Sequence, residues 1–175
     1  VGTEFRLTWR GQPWAAVRWQ LSGLYNARNV AMAATTAALA LHPDDPRRLE
    51  LGALARFRGV KRRQELLHDG ARVKVLEDFG HHPTALAETL LALRQRYPDC
   101  LLTAVFEPRS NTARTKVLQA GFMRALAQAD EVYLGAVNRA EKLAADERFD
   151  APTVIQQLEI QGIEAHTAGT NAALL

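Results

Sequence analysis

The sequence predicts an α/β fold with a mostly parallel sheet, and two observations carry that prediction. From residue 84 onward, segments of helical and strand periodicity alternate: helix 84–96, strand 101–106, helix 112–128, strand 131–134, helix 152–161 and strand 163–166. The strand segments of that alternation read L-L-T-A-V-F, E-V-Y-L and I-E-A-H. Two polar loops, D-F-G-H-H-P-T after a strand at 71–77 and E-P-R-S-N-T after the strand at 101–106, lie where open α/β sheets bind ligands, beyond strand carboxyl ends and before helix N-termini.

The residues before this alternation read differently. F-R-L-T-W (5–9) and W-A-A-V-R-W (14–19) are rich in strand formers and flank G-Q-P, which predicts a hairpin. Between Asn26 and Leu41, the residues Val30, Ala33, Ala34, Ala37, Ala38 and Leu41 recur at helical spacing. His42-Pro43 stops that helix, and Asp44-Asp45-Pro46 suits the start of another running to about Phe57. V-K-R-R-Q and E-L-L-H then lead through an Asp69-Gly70 hairpin turn into R-V-K-V-L-E-D-F. The closing T-N-A-A-L-L reads as the start of a further helix.

Composition bounds the function. With 47% hydrophobic residues in 175, the chain can bury a core and is not disordered. Its 22 basic and 19 acidic residues leave a charge of only +3, without the basic block of a nucleic-acid arm, so small anionic ligands fit better than DNA. A single cysteine, Cys100, excludes an internal disulfide, and no apolar run approaches the roughly 20 residues of a membrane span. The expected location is the cytoplasm. The chain opens on strand-like sequence without a methionine, which suggests part of a longer protein.

Several polar residues are candidates for chemistry. Asp78, at a strand end, can accept hydrogen bonds from a ribose diol, and Gly80 allows backbone to approach a ligand. The same cluster with His81 and His82 can also be a helix cap, while metal ligation lacks further ligands at suitable spacing. Arg109 presents a planar fork suited to a carboxylate, or it pairs with Glu107 on the surface; Ser110, Asn111 and Thr112 include a candidate N-cap. Asn26 and Asn29, three apart on one helix face, offer amides that match the N6/N7 edge of adenine, or they cap the helix. Lys61, Arg62 and Arg63 can meet phosphate, stack on a base, or form a solvated surface.

Taken together, these stretches resemble one family. G-L-Y-N-A-R-N-V-A resembles the H-N-x-x-N-A adenine motif of the Mur ligases, the ATP-dependent amide ligases of peptidoglycan synthesis. V-K-R-R-Q-E-L resembles the opening of their C-terminal domain, and E-D-F-G-H-H-P-T the D-D-Y-G-H-H-P-T of the branch acting on UDP-N-acetylmuramate. F-E-P-R-S-N-T is similar to the murein peptide ligase subgroup, which uses the tripeptide L-alanyl-γ-D-glutamyl-meso-diaminopimelate; the L-alanine-adding ligases carry a Q-P-H-R type loop.

The resemblance implies the end of a central ATPase domain at 1–50, followed at 51–175 by a Rossmann-like C-terminal domain that binds peptide. It implies ATP as cosubstrate, with Mg2+ held by central-domain residues, and UDP-N-acetylmuramate and the tripeptide as partners. No nucleic acid or membrane partner is implied. Asn26 and Asn29 would contact adenine, and Arg63 and Asp78 the nucleotide, with Asp78 at the ribose. His81 and His82 would be the catalytic pair near the phosphates and the incoming amine, while Arg109, Ser110 and Asn111 would face the tripeptide. The family P-loop, G-x-x-G-K-[ST], does not occur in these residues, so this polypeptide alone is expected to be inactive. Tyr25 stands where the motif has histidine. A UDP-N-acetylmuramate–L-alanine ligase, a metal-dependent phosphoesterase and a non-catalytic nucleotide or peptide sensor are the rival functions.

Overall fold

The computed structural model describes residues 4–174. They fall into two compact units, one ending at Asp78 and the other beginning at Phe79.

The first unit opens with the hairpin β1 (Glu4–Trp9) and β2 (Gln12–Arg18), which is antiparallel and pairs Phe5 with Val17. Its turn is Arg10-Gly11, both at positive φ (48° and 77°), the two-residue geometry whose twist matches paired strands. G-Q-P is therefore not the turn; Gln12 and Pro13 already belong to β2. Helix α1 (Leu24–Leu41) buries Val30, Ala34 and Ala38, a single row at i, i+4 and i+8. Ala33, Ala37 and Leu41 of the predicted stripe are exposed, so the buried face is narrower than the sequence periodicity suggested. Val30 packs with Val17 and Trp19 in a small core, where Phe5 meets the Trp19 ring edge-on at 5.4 Å.

The predicted helix from 44 to 57 does not form. Two 3-10 turns, Pro46–Arg48 and Gly52–Arg56, take its place. Asp45 accepts from the Arg47 backbone N–H (3.2 Å) and its guanidinium (2.9 Å), a local arrangement that competes with helix propagation. Strands β3 (Glu65–Asp69) and β4 (Lys74–Glu77) follow as an antiparallel pair. Their connection spans residues 70–73 rather than a two-residue turn, and Lys74 pairs with Asp69 across its base. Among the described residues β4 pairs only with β3, so the loop after it does not leave a parallel sheet, contrary to expectation.

The second unit holds the predicted parallel sheet. Strands β5 (Thr103–Phe106), β6 (Glu131–Leu134) and β7 (Glu164–Thr167) run parallel, with Phe106, Leu134 and Thr167 level at their carboxyl ends. Helices α2 (Pro83–Arg96), α3 (Gln119–Leu126), α4 (Ala151–Ile160) and α5 (Asn171–Leu174) complete the unit; Leu175, in the predicted last helix, lies outside the described residues. One sheet face is core: Val132 and Leu134 are fully buried among Phe122, Leu126, Val154 and Leu158. The opposite face carries Thr103, Val105, Glu131, Tyr133, Glu164 and His166, all exposed or half-buried, so each strand alternates as a one-sided sheet does.

The predicted helix 112–128 is shortened to α3, preceded by a 3-10 turn at Lys116–Leu118. Ser110 Oγ accepts from the Ala113 N–H at 3.0 Å and Thr115 Oγ1 donates to the Thr112 carbonyl at 2.8 Å, which holds residues 110–115 in a turn. Helix α4 is capped by Asp150, whose carboxylate accepts from the Thr153 hydroxyl (2.7 Å) and backbone N–H (3.1 Å). These bonds, the hydroxyl one first, hold its carboxyl below the usual aspartate range. Asp150→Ala should therefore cost about 1 kcal/mol. The wild-type contribution is present above the ordinary aspartate range and fades as pH falls through the depressed value. Urea unfolding of both proteins at neutral and acidic pH checks this: the difference should narrow in acid.

Candidate functional site

Three of the residues that the sequence marked for a nucleotide, Asn26, Arg63 and Asp78, are joined in one network within the first unit. Asp78, at the end of β4 with a side chain 17% exposed, lies 3.8 Å from the Arg63 guanidinium through Oδ1 and accepts from the Gln64 backbone N–H through Oδ2 at 3.0 Å. Gln64 in turn reaches α1: its Nε2 donates to the Tyr25 hydroxyl at 2.7 Å, and its Oε1 accepts from Ser22 Oγ at 3.2 Å. The Ser22 carbonyl accepts from Asn26 Nδ2 at 2.7 Å. An aspartate carboxylate offers about four acceptor positions, so holding Gln64 does not by itself preclude a ribose hydroxyl.

Neither asparagine caps α1. The cap position is Gly23, without a side-chain hydrogen bond, and Asn26 donates backwards to the loop. Asn29 is exposed one turn on. In the basic run, Lys61 is exposed, while Arg62 donates to Glu77 at 2.9 Å and takes Glu65 on its backbone N–H at 2.7 Å. Arg62 thus braces the β3–β4 hairpin, and Arg63 is the member turned to Asp78.

The two histidines belong to the second unit and Asp78 to the first. His82 is the N-cap of α2, its Nδ1 accepting from the Thr84 N–H at 3.3 Å, with Pro83 in the first turn. Pro83 seats this helix start closely on α3: a Cβ at Gly121 would lie 2.9 Å from Pro83 Cγ, so only glycine fits there. His81 is exposed, with Nδ1 3.2 Å from the Phe79 carbonyl and its ring edge-on to Phe79 at 5.2 Å. Capping thus describes His82 and not Asp78.

At the carboxyl end of β5, Pro108 is fully buried and anchors the loop, while Arg109 is 70% exposed. Its Nε lies 3.5 Å from Glu107 Oε1. Ser110 caps the following turn, and Asn111 Oδ1 accepts from Arg114 at 2.9 Å. The neighbouring strand ends close on the same place. Asn171 Oδ1 accepts from the Ala136 N–H at 2.8 Å, and a Cβ at Gly135 would meet that oxygen at 2.9 Å and Glu107 Cβ at 3.4 Å. Gly135 and Asn171 were missed in the sequence, although the strand-end rule points equally to the loops after residues 134 and 167.

Other features fall elsewhere. A cleft of about 310 Å³ in the first unit, lined by Trp14, Arg18, Arg47 and Leu51, holds none of the predicted residues. Among the described residues, Glu131, Glu164 and His166 bring possible ligand atoms within 4.8 Å of one another. They lie on the sheet face opposite the core, Glu131 and Glu164 at the start of their strands and His166 level with Tyr133. Glu131 also accepts from Thr103 and Tyr133, and that bond, together with partial burial, raises the Tyr133 pKa. No helix of the described residues is long and apolar enough to cross a membrane.

The family profile "Mur ligase, glutamate ligase domain" matches residues 62–174. A UDP-N-acetylmuramate–L-alanine ligase of Bifidobacterium longum is 33% identical over 156 residues, covering 89% of this chain and 29% of its own. The UDP-N-acetylmuramate–L-alanyl-γ-D-glutamyl-meso-2,6-diaminoheptanedioate ligase of Escherichia coli is 36% identical over 134 residues, covering 75% and 28%. The chain therefore spans under a third of the length of these curated relatives. Among solved structures, a murein peptide ligase of Psychrobacter arcticus superposes with a TM-score of 0.63 at 28% identity, over 99% of this chain and 35% of that one. A UDP-N-acetylmuramate–alanine ligase of Thermotoga maritima shares the fold, with a TM-score of 0.70 at 22% identity over 95% and 34%. With its parallel sheet, its strand-end loops and a profile that covers most of its length, the chain belongs to the Mur ligase family.

Proposed function

We propose that these residues form the C-terminal portion of a cytoplasmic, ATP-dependent ligase that joins UDP-N-acetylmuramate to the tripeptide L-alanyl-γ-D-glutamyl-meso-diaminopimelate. Residues 1–50 would close the central ATP-binding domain and 51–175 would form the peptide-binding domain. The observation that carries the nucleotide half of this reading is the link from Asp78 through Gln64 to Ser22 and Asn26. It gathers a carboxylate suited to a ribose, a guanidinium, and an amide suited to adenine.

In this reading ATP phosphorylates the muramoyl carboxylate, the peptide amine attacks the resulting acyl phosphate, and phosphate leaves. The chain's own residues bind and orient. Asn26 and Asn29 hold the base, Asp78 the ribose, and Arg63 offsets phosphate charge. His81 and His82 stand near the phosphates and the amine, where they contribute positioning and charge stabilisation. Arg109, Ser110 and Asn111 hold the peptide. Magnesium would neutralise the transferred phosphoryl group, held by central-domain residues that these 175 do not include.

The tripeptide rests on the F-E-P-R-S-N-T loop, whose arginine stands exposed at a strand end. The rival acceptor, free L-alanine, is supported by the B. longum relative's name. The nucleotide half is tested on the polypeptide itself. Because its sequence has no G-x-x-G-K-[ST], it should bind ATP weakly and neither hydrolyse it nor form an amide. Calorimetric titration with ATP and a phosphate-release assay check both parts; magnesium-dependent hydrolysis by the purified chain would contradict the assignment.

A further inference from the structure

We propose that Gln64 is a positioning residue that couples the ribose-facing carboxylate to the adenine-facing helix start, an inference that rests on the nucleotide reading above. Gln64 has φ 48°, in the left-handed region, a strained conformation for a residue with a side chain that persists only where its surroundings hold it. They do so from three sides. Its N–H is taken by Asp78 Oδ2 at 3.0 Å, its Oε1 by the hydroxyl of Ser22 at 3.2 Å, and its Nε2 by the oxygen of Tyr25 at 2.7 Å.

The bonding pattern fixes the amide orientation. A side-chain amide donates only from nitrogen and accepts only at oxygen, and here each end has a different partner. Ser22 is 1% exposed, so its hydroxyl requires an acceptor, and its own carbonyl receives Asn26 Nδ2. Gln64 therefore joins positions 39 and 42 residues away in sequence and ties Asp78 to the turn that orients Asn26. This also gives Tyr25 a role at the position where the adenine motif has histidine. Its hydroxyl receives Gln64, which fixes the side chain beside Asn26.

The experiment is a double-mutant cycle read by calorimetric titration of the chain with ATP. Gln64→Gly keeps the left-handed backbone and the N–H to Asp78 while removing the amide. Tyr25→Phe removes one oxygen and leaves the packing in place. Each should weaken ATP binding about three- to tenfold, and the double variant should be no weaker than the poorer single one. The Asn26 side-chain amide resonance should also move in Gln64→Gly, because Ser22 loses its acceptor. Wild-type ATP affinity in both single variants would overturn the role, and losses that multiply in the double variant would overturn the coupling. If the wild-type chain binds no ATP, the nucleotide reading falls and this role with it.

Discussion

Phe122→Ala is expected to cost about 3–5 kcal/mol of stability in the second unit, the usual range for removing a fully buried aromatic ring from a packed core. Phe122 is 0% exposed, stacks on Phe106 at 4.9 Å and meets Phe149 edge-on at 6.3 Å, so its loss opens a cavity bordered by both rings. Domains of this size are stable by only about 5–15 kcal/mol, so the variant should lose much of its folded margin at 37 °C. Val105→Ala is the control, since Val105 is 77% exposed on the opposite sheet face and should change stability by less than about 0.5 kcal/mol. Urea unfolding followed by circular dichroism separates the two. A loss below about 1 kcal/mol for Phe122→Ala, or an equal loss for Val105→Ala, would mean that the sheet does not bury the face described.

Arg109→Lys should leave the fold intact and impair peptide use. The side chain is 70% exposed and its ion pair with Glu107 is loose at 3.5 Å, so the substitution removes little stability. Lysine keeps the charge but not the planar, two-pronged geometry. If Arg109 clamps a tripeptide carboxylate, losing that charge-assisted contact should cost about 1.5–3 kcal/mol, or roughly ten- to a hundredfold in kcat/KM for the peptide. The constant for ATP should be nearly unchanged. Steady-state kinetics of the ligase carrying this chain measure both, and wild-type peptide kinetics would reduce Arg109 to its surface pair with Glu107.

The parallel sheet was legible because segments of helical and strand periodicity alternate from residue 84 onward. Val132 and Leu134 point to the core while Glu131 and Tyr133 do not, and E-V-Y-L marks β6 at its true limits. The helices predicted to begin at 84 and 152 likewise start within one residue of those positions, at Pro83 and Ala151. The two overpredicted helices share a cause. At Asp45, and again at Ser110 and Thr115, short polar side chains bond to nearby backbone and hold turns where apolar spacing alone suggested helix.

The candidate site was readable as motifs and unreadable as geometry. Asn26, Arg63 and Asp78 stand out as residue types at telling positions. Gln64, which links two of them, leaves no trace, because a left-handed glutamine has no sequence signature and its partners lie far along the chain. Nor did D-F-G-H-H-P-T reveal that Asp78 ends one compact unit while His81 and His82 open the next. Continuous sequence gives no sign of a boundary that falls within a motif.

The central claim is the acceptor, and one ligation assay tests it most directly. The ligase carrying this chain is supplied with ATP, magnesium and UDP-N-acetylmuramate, and either the tripeptide or free L-alanine. Product formation is followed by chromatography with phosphate release in parallel. The account predicts efficient ligation of the tripeptide and poor use of L-alanine. Preference for L-alanine would contradict it and assign the chain to the L-alanine-adding ligases.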